Sequence, residues 1–85
     1  MSEGEQLGEV IHYYNRIQVA VVRLRRGLSQ GQRLHFRGAH TDFEQQAASL
    51  EANHAEVTEA KAGTEVAVKV DQAVRRGDGV FLVEG

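Results

Sequence analysis

Arginine carries most of the chemical potential in this sequence. Eight of its ten basic residues are arginines, and Arg23, Arg25, Arg26, Arg33, Arg37, Arg75 and Arg76 fall beside glycine-containing turns, where adjoining strands would gather them into a stripe. A guanidinium presents a planar fork of donors that matches a phosphate. His12, Tyr13 and Tyr14 add rings on which an unstacked base could lie. Such a mixture suits RNA or a ribonucleoprotein as a partner. The same residues also suit a solvated charged face with the tyrosines turned into a core, and the sequence leaves both open.

Other chemistries find less support. The four histidines, His12, His35, His40 and His54, lack the H-x-x-x-H spacing of a metal site, so no metal is expected. Ser29 and Ser49 have no G-x-S-x-G context, and the absence of cysteine removes thiol catalysis and disulfides alike. No G-x-x-x-x-G-K-[ST] loop occurs, so no nucleotide and no GTPase activity are expected. These readings describe a non-enzymatic chain without a cofactor.

Behind these residues stands a chain of 85 residues with a formal charge of −2. That length fits one small domain, residues 1–85, whose core must be well filled or completed by a partner. The small net charge leaves nucleic-acid binding to a local patch, not to the molecule as a whole. No stretch reads as a signal peptide or a membrane span, which gives a cytoplasmic expectation and no membrane partner.

The elements that must position the arginines read as short strands. Residues 1–6 are polar and acidic and are expected to fray. Leu7 to Tyr14 is rich in aromatic and β-branched residues, with apolar groups on both faces. Asn15-Arg16 suits a hairpin turn, with Asn15 in the left-handed region, before a strand from Ile17 to Arg25. Gly27 and Gly31 then provide the positive-φ positions of a wider loop. In Gln32 to Arg37, Leu34 and Phe36 alternate with Arg33, His35 and Arg37, the period of a half-buried strand.

Phe43 to Asn53 is compatible with helix by propensity and with strand, and Val57 to Gly63 with one helical turn or a compact loop. Thr64 to Val70 alternates strictly, with Val66, Val68 and Val70 on one face. Asp71 to Gly79 is a connection and Val80 to Glu84 a closing strand. Short strands with glycine turns and no long helical pattern give an all-β class, in which closure into a small barrel removes exposed edges.

A family resemblance rests on an ordered set of residues: Gly8-x-Val10, Val19-Ala20, Arg23-x-x-Arg26-Gly27, Gly31, Ser49-Leu50-Glu51, Val57-x-Glu59-x-x-Ala62-Gly63-x-x-Val66 and Val74-x-Arg76-Gly77. This order resembles the β-barrel domain II of translational GTPases such as elongation factor Tu, over Leu7 to Val83. More closely, the chain resembles small stand-alone translation elongation factor-like proteins and the barrel joined to some collagenase-like peptidases.

The resemblance implies a small closed six-stranded Greek-key barrel of the translation-factor domain II type, with Phe43 to Asn53 as strand. In elongation factor Tu this barrel helps hold the aminoacylated 3′ end of tRNA, and the matching pocket positions are Glu9, Tyr13, Asn15, Val19, Glu51 and His54. Asn15 departs from the family's glycine there, and His54 from a basic side chain. Two functions follow: a module binding RNA or the translation machinery, or a protein-interaction barrel that docks on an enzyme such as a collagenase-like peptidase. The apolar residues on both faces of Ile17 to Val22 favour the second.

Overall fold

A computed structural model describes residues 3–83. Ten strands occur there: β1 (Glu3–Tyr14), β2 (Val19–Leu24), β3 (Leu28–Ser29), β4 (Arg33–Arg37), β5 (Asp42–Gln46), β6 (Leu50–Ala52), β7 (Ala55–Val57), β8 (Glu59–Ala60), β9 (Glu65–Lys69) and β10 (Gly79–Val83). Eight of them form one antiparallel sheet in the order β5-β4-β10-β1-β2-β9-β6-β7, while β3 and β8 pair separately. No helix occurs among the described residues, and therefore none long and apolar enough to cross a membrane.

The sheet is organised around β1, whose twelve residues pair with β10 through Glu3 to Glu9 and with β2 through Gly8 to Tyr14. Register shifts between Gln6 and Gly8 against β10, and between Val10 and His12 against β2, interrupt its alternation. A bulge of this kind bends a strand and resets which face its side chains take. Leu7 and Val10 are therefore both buried, which accounts for the apolar groups that the sequence places on both faces of this stretch. Gly8 is required where β1 crosses β2, because a Cβ there would lie 2.4 Å from the Arg23 carbonyl oxygen.

The inner face is apolar except for Gln45 of β5. Ala20, Val22 and Leu24 from β2, Leu34 and Phe36 from β4, Phe43 from β5, Leu50 from β6 and Val66 and Val68 from β9 all bury against Leu7, Val10 and Val80. The Phe36 and Phe43 rings stack with centroids 5.1 Å apart. Alternation read from the sequence thus gives the correct inward residues in β4 and β9.

Several expectations are corrected. The architecture is a curled sheet forming a half-barrel, not a closed six-stranded barrel. At the seam the side chain of buried Gln45 bridges β5 to the end of β9, its Nε2 donating to the Lys69 carbonyl at 2.7 Å and its Oε1 accepting from the Asp71 amide at 2.7 Å. One side-chain amide stands where a closed barrel would have a ladder.

The strand from Phe43 to Asn53 is two strands, β5 and β6, separated by Ala47 to Ser49. The segment read as a helical turn contains β8, paired through Leu28 to Ala60 and Ser29 to Glu59. Within the first six residues, Glu3 to Gln6 belong to β1, whereas Met1 and Ser2 lie outside the described residues. Glu84, expected to end the last strand, also lies outside them.

Turn chemistry is shifted as well. Residues 15–18 form a four-residue turn in which Gln18, not Asn15, has positive φ (54°), and Ile17 stands in that turn, not in the strand. Gly31 has φ 96°, but Gly27 does not take the left-handed conformation.

Candidate binding surface

Arg23, Arg33 and Arg37 occupy the outer face of the sheet, with Arg25 and Arg26 just past the end of β2. Register places Arg23, Glu9, Gly79, Arg37 and Asp42 in one row across β2, β1, β10, β4 and β5. The next row runs Gln6, Phe81, His35 and Glu44, and Arg25 donates to Gln6 Oε1 at 3.2 Å. Phe81 lies over Gly79, where a Cβ would meet its ring at 2.7 Å, and the Arg37 guanidinium stands 5.2 Å from the Phe81 centroid.

Acidic residues are interleaved with these cations. Arg23 pairs with Glu65 at 3.2 Å, Arg33 with Glu44 at 2.9 Å, and Arg26 with Glu5. His35 Nε2 meets Asp42 Oδ1 at 2.6 Å. Exposed pairs of this kind add roughly 0 to 1 kcal/mol of stability each. Their main effect is on the field, since alternating signs cancel where a phosphate-binding stripe needs one sign to persist. Arg75 and Arg76 are exposed in the β9–β10 connection, which the Gly77 amide ties to the Val10 carbonyl at 2.8 Å. The stripe expected from sequence is therefore a mixed-charge face, and RNA binding gains no support from it.

Tyr13 does not serve as a stacking platform beside those arginines. It points inward and packs, partly buried, against the core, while Tyr14 is the exposed ring. His12 lies edge-on to Tyr14, with centroids 4.2 Å apart. Among the described residues no group of three or more His, Asp or Glu is placed to hold a metal ion.

A groove crosses the outer face further along the sheet. Its floor is Val19 and Val21 of β2 with Ala67 of β9, one wall is Tyr14 and Ile17, and the other is the β6–β7 hairpin with Glu51, Asn53 and His54. Tyr14 and Ile17, 50% and 59% exposed, are the exposed large hydrophobic residues of the described chain. Ile17 projects because the four-residue turn carries it beyond the last β1–β2 pair, Tyr14 with Val19. The hairpin turns on Asn53 and His54, both with positive φ (53° and 65°), as a type I′ turn requires.

Three of the six family pocket positions, Val19, Glu51 and His54, line this groove together. The other three do not join them: Glu9 lies in the row with Arg23, Tyr13 turns inward, and Asn15 is an exposed turn residue outside the lining. Sequence reading missed Ala67, and also the opposition of Glu51 to Glu56 across β6–β7. A hairpin centred on Asn53-His54 would have disclosed that opposition, because register follows directly from turn length.

No protein-family model matches the chain. It is 34% identical over 80 residues to an uncharacterized protease of Methanocaldococcus jannaschii, an alignment covering 93% of this chain and 20% of that protein. The chain thus spans about a fifth of the length of the curated relative it matches. Two crystal structures of the C-terminal domain of a Geobacillus thermoleovorans U32 peptidase superpose with TM-scores of 0.86 and 0.88, at 21% and 20% identity. These cover 91% and 94% of this chain and 98% and 93% of theirs.

The chain accordingly has the fold of a U32 peptidase C-terminal domain. The peptidase-linked side of the sequence resemblance is supported, and identity as a translation factor is not.

Proposed function

We propose that this chain is a non-catalytic docking domain of the U32 peptidase type, which binds a peptidase body and does no chemistry of its own. The observation carrying the proposal is the alignment that takes 93% of this chain but only 20% of a protease. A module of that size beside a much larger remainder is the pattern of an accessory domain, whether joined to its catalytic body or bound to it separately. The fold match to an isolated C-terminal domain supports the same reading. So does the exposed apolar pair Tyr14 and Ile17, since apolar surface beside a polar rim marks protein contact.

The test is calorimetric titration of the 85-residue chain into a U32 peptidase body from the same organism, prepared without its own C-terminal domain. Docking predicts a 1:1 complex with Kd below about 100 μM, in the range of transient inter-domain contacts. Absence of heat at that concentration, together with RNA affinity tighter than the non-specific level of about 10⁻⁴ M at physiological salt, would reverse the ranking in favour of an RNA module.

A further inference from the structure

The groove over Val19, Val21 and Ala67 has a chemical polarity that the docking reading alone does not use. At one end Glu51 lines the groove, and Glu56, just outside the lining, is its direct register partner across β6–β7; neither has an ion-pair partner among the described residues. Like charges facing across a sheet are unfavourable, and although Glu9 also stands outside the described ion pairs, Glu5, Asp42, Glu44 and Glu65 of the outer face each meet a basic side chain. Glu51 is also the register partner of Ala67, so the carboxylate end is continuous with the apolar floor. At the other end, Ile17 and Tyr14 form an exposed apolar wall beside Arg16, and Lys69 pairs in register with Val19.

Resting on the docking reading, we propose that this groove seats a segment of the partner protein carrying a lysine or arginine next to an aliphatic residue. The cation lies between Glu51 and Glu56, relieving their opposition, and the aliphatic side chain covers Val19, Val21 and Ala67 against the wall of Tyr14 and Ile17. Charge selects the occupant. A phosphate backbone would be repelled at the carboxylate end, and an acidic peptide would meet the same repulsion without a compensating cation there. The left-handed turn at Asn53-His54 holds the acidic wall in place, because a type I′ turn fixes the hairpin's register.

Two synthetic heptapeptides serve as probes, one alternating leucine with lysine and one alternating leucine with glutamate, each blocked at both ends. They are titrated into the ¹⁵N-labelled full-length chain, with backbone amides as the readout. The lysine peptide should shift the amides of Val19, Val21, Glu51 and Ala67, and the glutamate peptide should not. The double variant Glu51→Gln/Glu56→Gln should bind the lysine peptide about three- to tenfold more weakly, the size expected of two exposed ion pairs, with its fold retained by the same spectra.

Equal binding of both peptides, shifts confined to other strands, or unchanged affinity in the double variant would overturn the proposal. So would displacement of the peptide by a ribo-oligonucleotide, or dimerisation of the chain through this groove in sedimentation. Repeating the peptidase-body titration with the double variant separates the two readings. Unchanged docking leaves the docking function standing and removes this groove from it, whereas weakened docking supports both.

Discussion

Replacing Gln45 tests the most specific structural claim, that a single side-chain amide holds the seam of the half-barrel. Gln45 is 6% exposed, and it satisfies the Lys69 carbonyl and the Asp71 amide at 2.7 Å each. In Gln45→Leu both backbone groups lose their partner, at a cost of about 1 to 3 kcal/mol for each one that stays dry. Because the seam borders solvent, water recovers part of that loss, and the leucine adds roughly 1 kcal/mol of apolar burial. The net expectation is a destabilisation of about 1 to 3 kcal/mol. An 85-residue domain has a total stability of about 4 to 13 kcal/mol at 0.05 to 0.15 kcal/mol per residue.

Gln45→Glu sharpens the test. A carboxylate can accept from the Asp71 amide but cannot donate to the Lys69 carbonyl, whereas the protonated acid does both. The folded state therefore favours the neutral form and raises the folded pKa above the unfolded value of about 4.3. With the folded pKa raised, the variant matches the parent below about pH 4.3 and loses stability as pH rises through the folded pKa. Urea unfolding followed by far-UV circular dichroism at pH 4 and pH 7 measures both effects. A loss below about 0.5 kcal/mol in Gln45→Leu, or a pH-independent deficit in Gln45→Glu, would refute the bridging role.

Three further outcomes follow from single positions. Phe36→Ala should lose about 3 to 5 kcal/mol in the same unfolding assay, since its ring is fully buried and stacked on Phe43; a loss under about 1 kcal/mol would contradict its place in the core. Gly8→Ala should cost about 1 to 3 kcal/mol or more through overpacking against the Arg23 carbonyl, and an unchanged urea midpoint would mean that β1 and β2 separate there without penalty. His54→Gly should raise the thermal midpoint by the equivalent of about 0.5 kcal/mol, left-handed strain being relieved but offset by glycine's greater unfolded-state entropy. A lowered midpoint would show that His54 makes a stabilising contact worth more than that strain.

Reading the chain in order recovers much of the inner face and little of the outer one. Leu34, Phe36, Val66 and Val68 are legible because their alternation is uninterrupted, and one buried face is enough to set a strand's register. β1 resists the same treatment: its register shifts against β10 and β2 break the period, so Leu7 and Val10 bury together although they are three residues apart. β5 and β6 are obscured for a different reason. Their alanines and glutamines favour helix locally, and only pairing with β4, β7 and β9 overrides that preference.

The arginines show the limit of residue type as a guide to function. Their identity suits phosphate, but whether they act together depends on what lies beside them. Glu5, Glu44 and Glu65 reach Arg26, Arg33 and Arg23 from 21, 11 and 42 residues away in sequence. The groove depends on similar distant placements, since Ile17, Glu51 and Ala67 come from three separate parts of the chain.

By itself the sequence determined the all-β class, the inward residues of the strictly alternating strands and the left-handed position at Gly31, because each rests on periodicity or backbone freedom within a few neighbouring residues. Only tertiary structure decided that the sheet stops at a half-barrel bridged by Gln45, that the arginines lie among carboxylates, and that the apolar turn at Ile17 faces an acidic hairpin. Each of those depends on strand order and register across the sheet, and these are set by burial of the whole inner face at once.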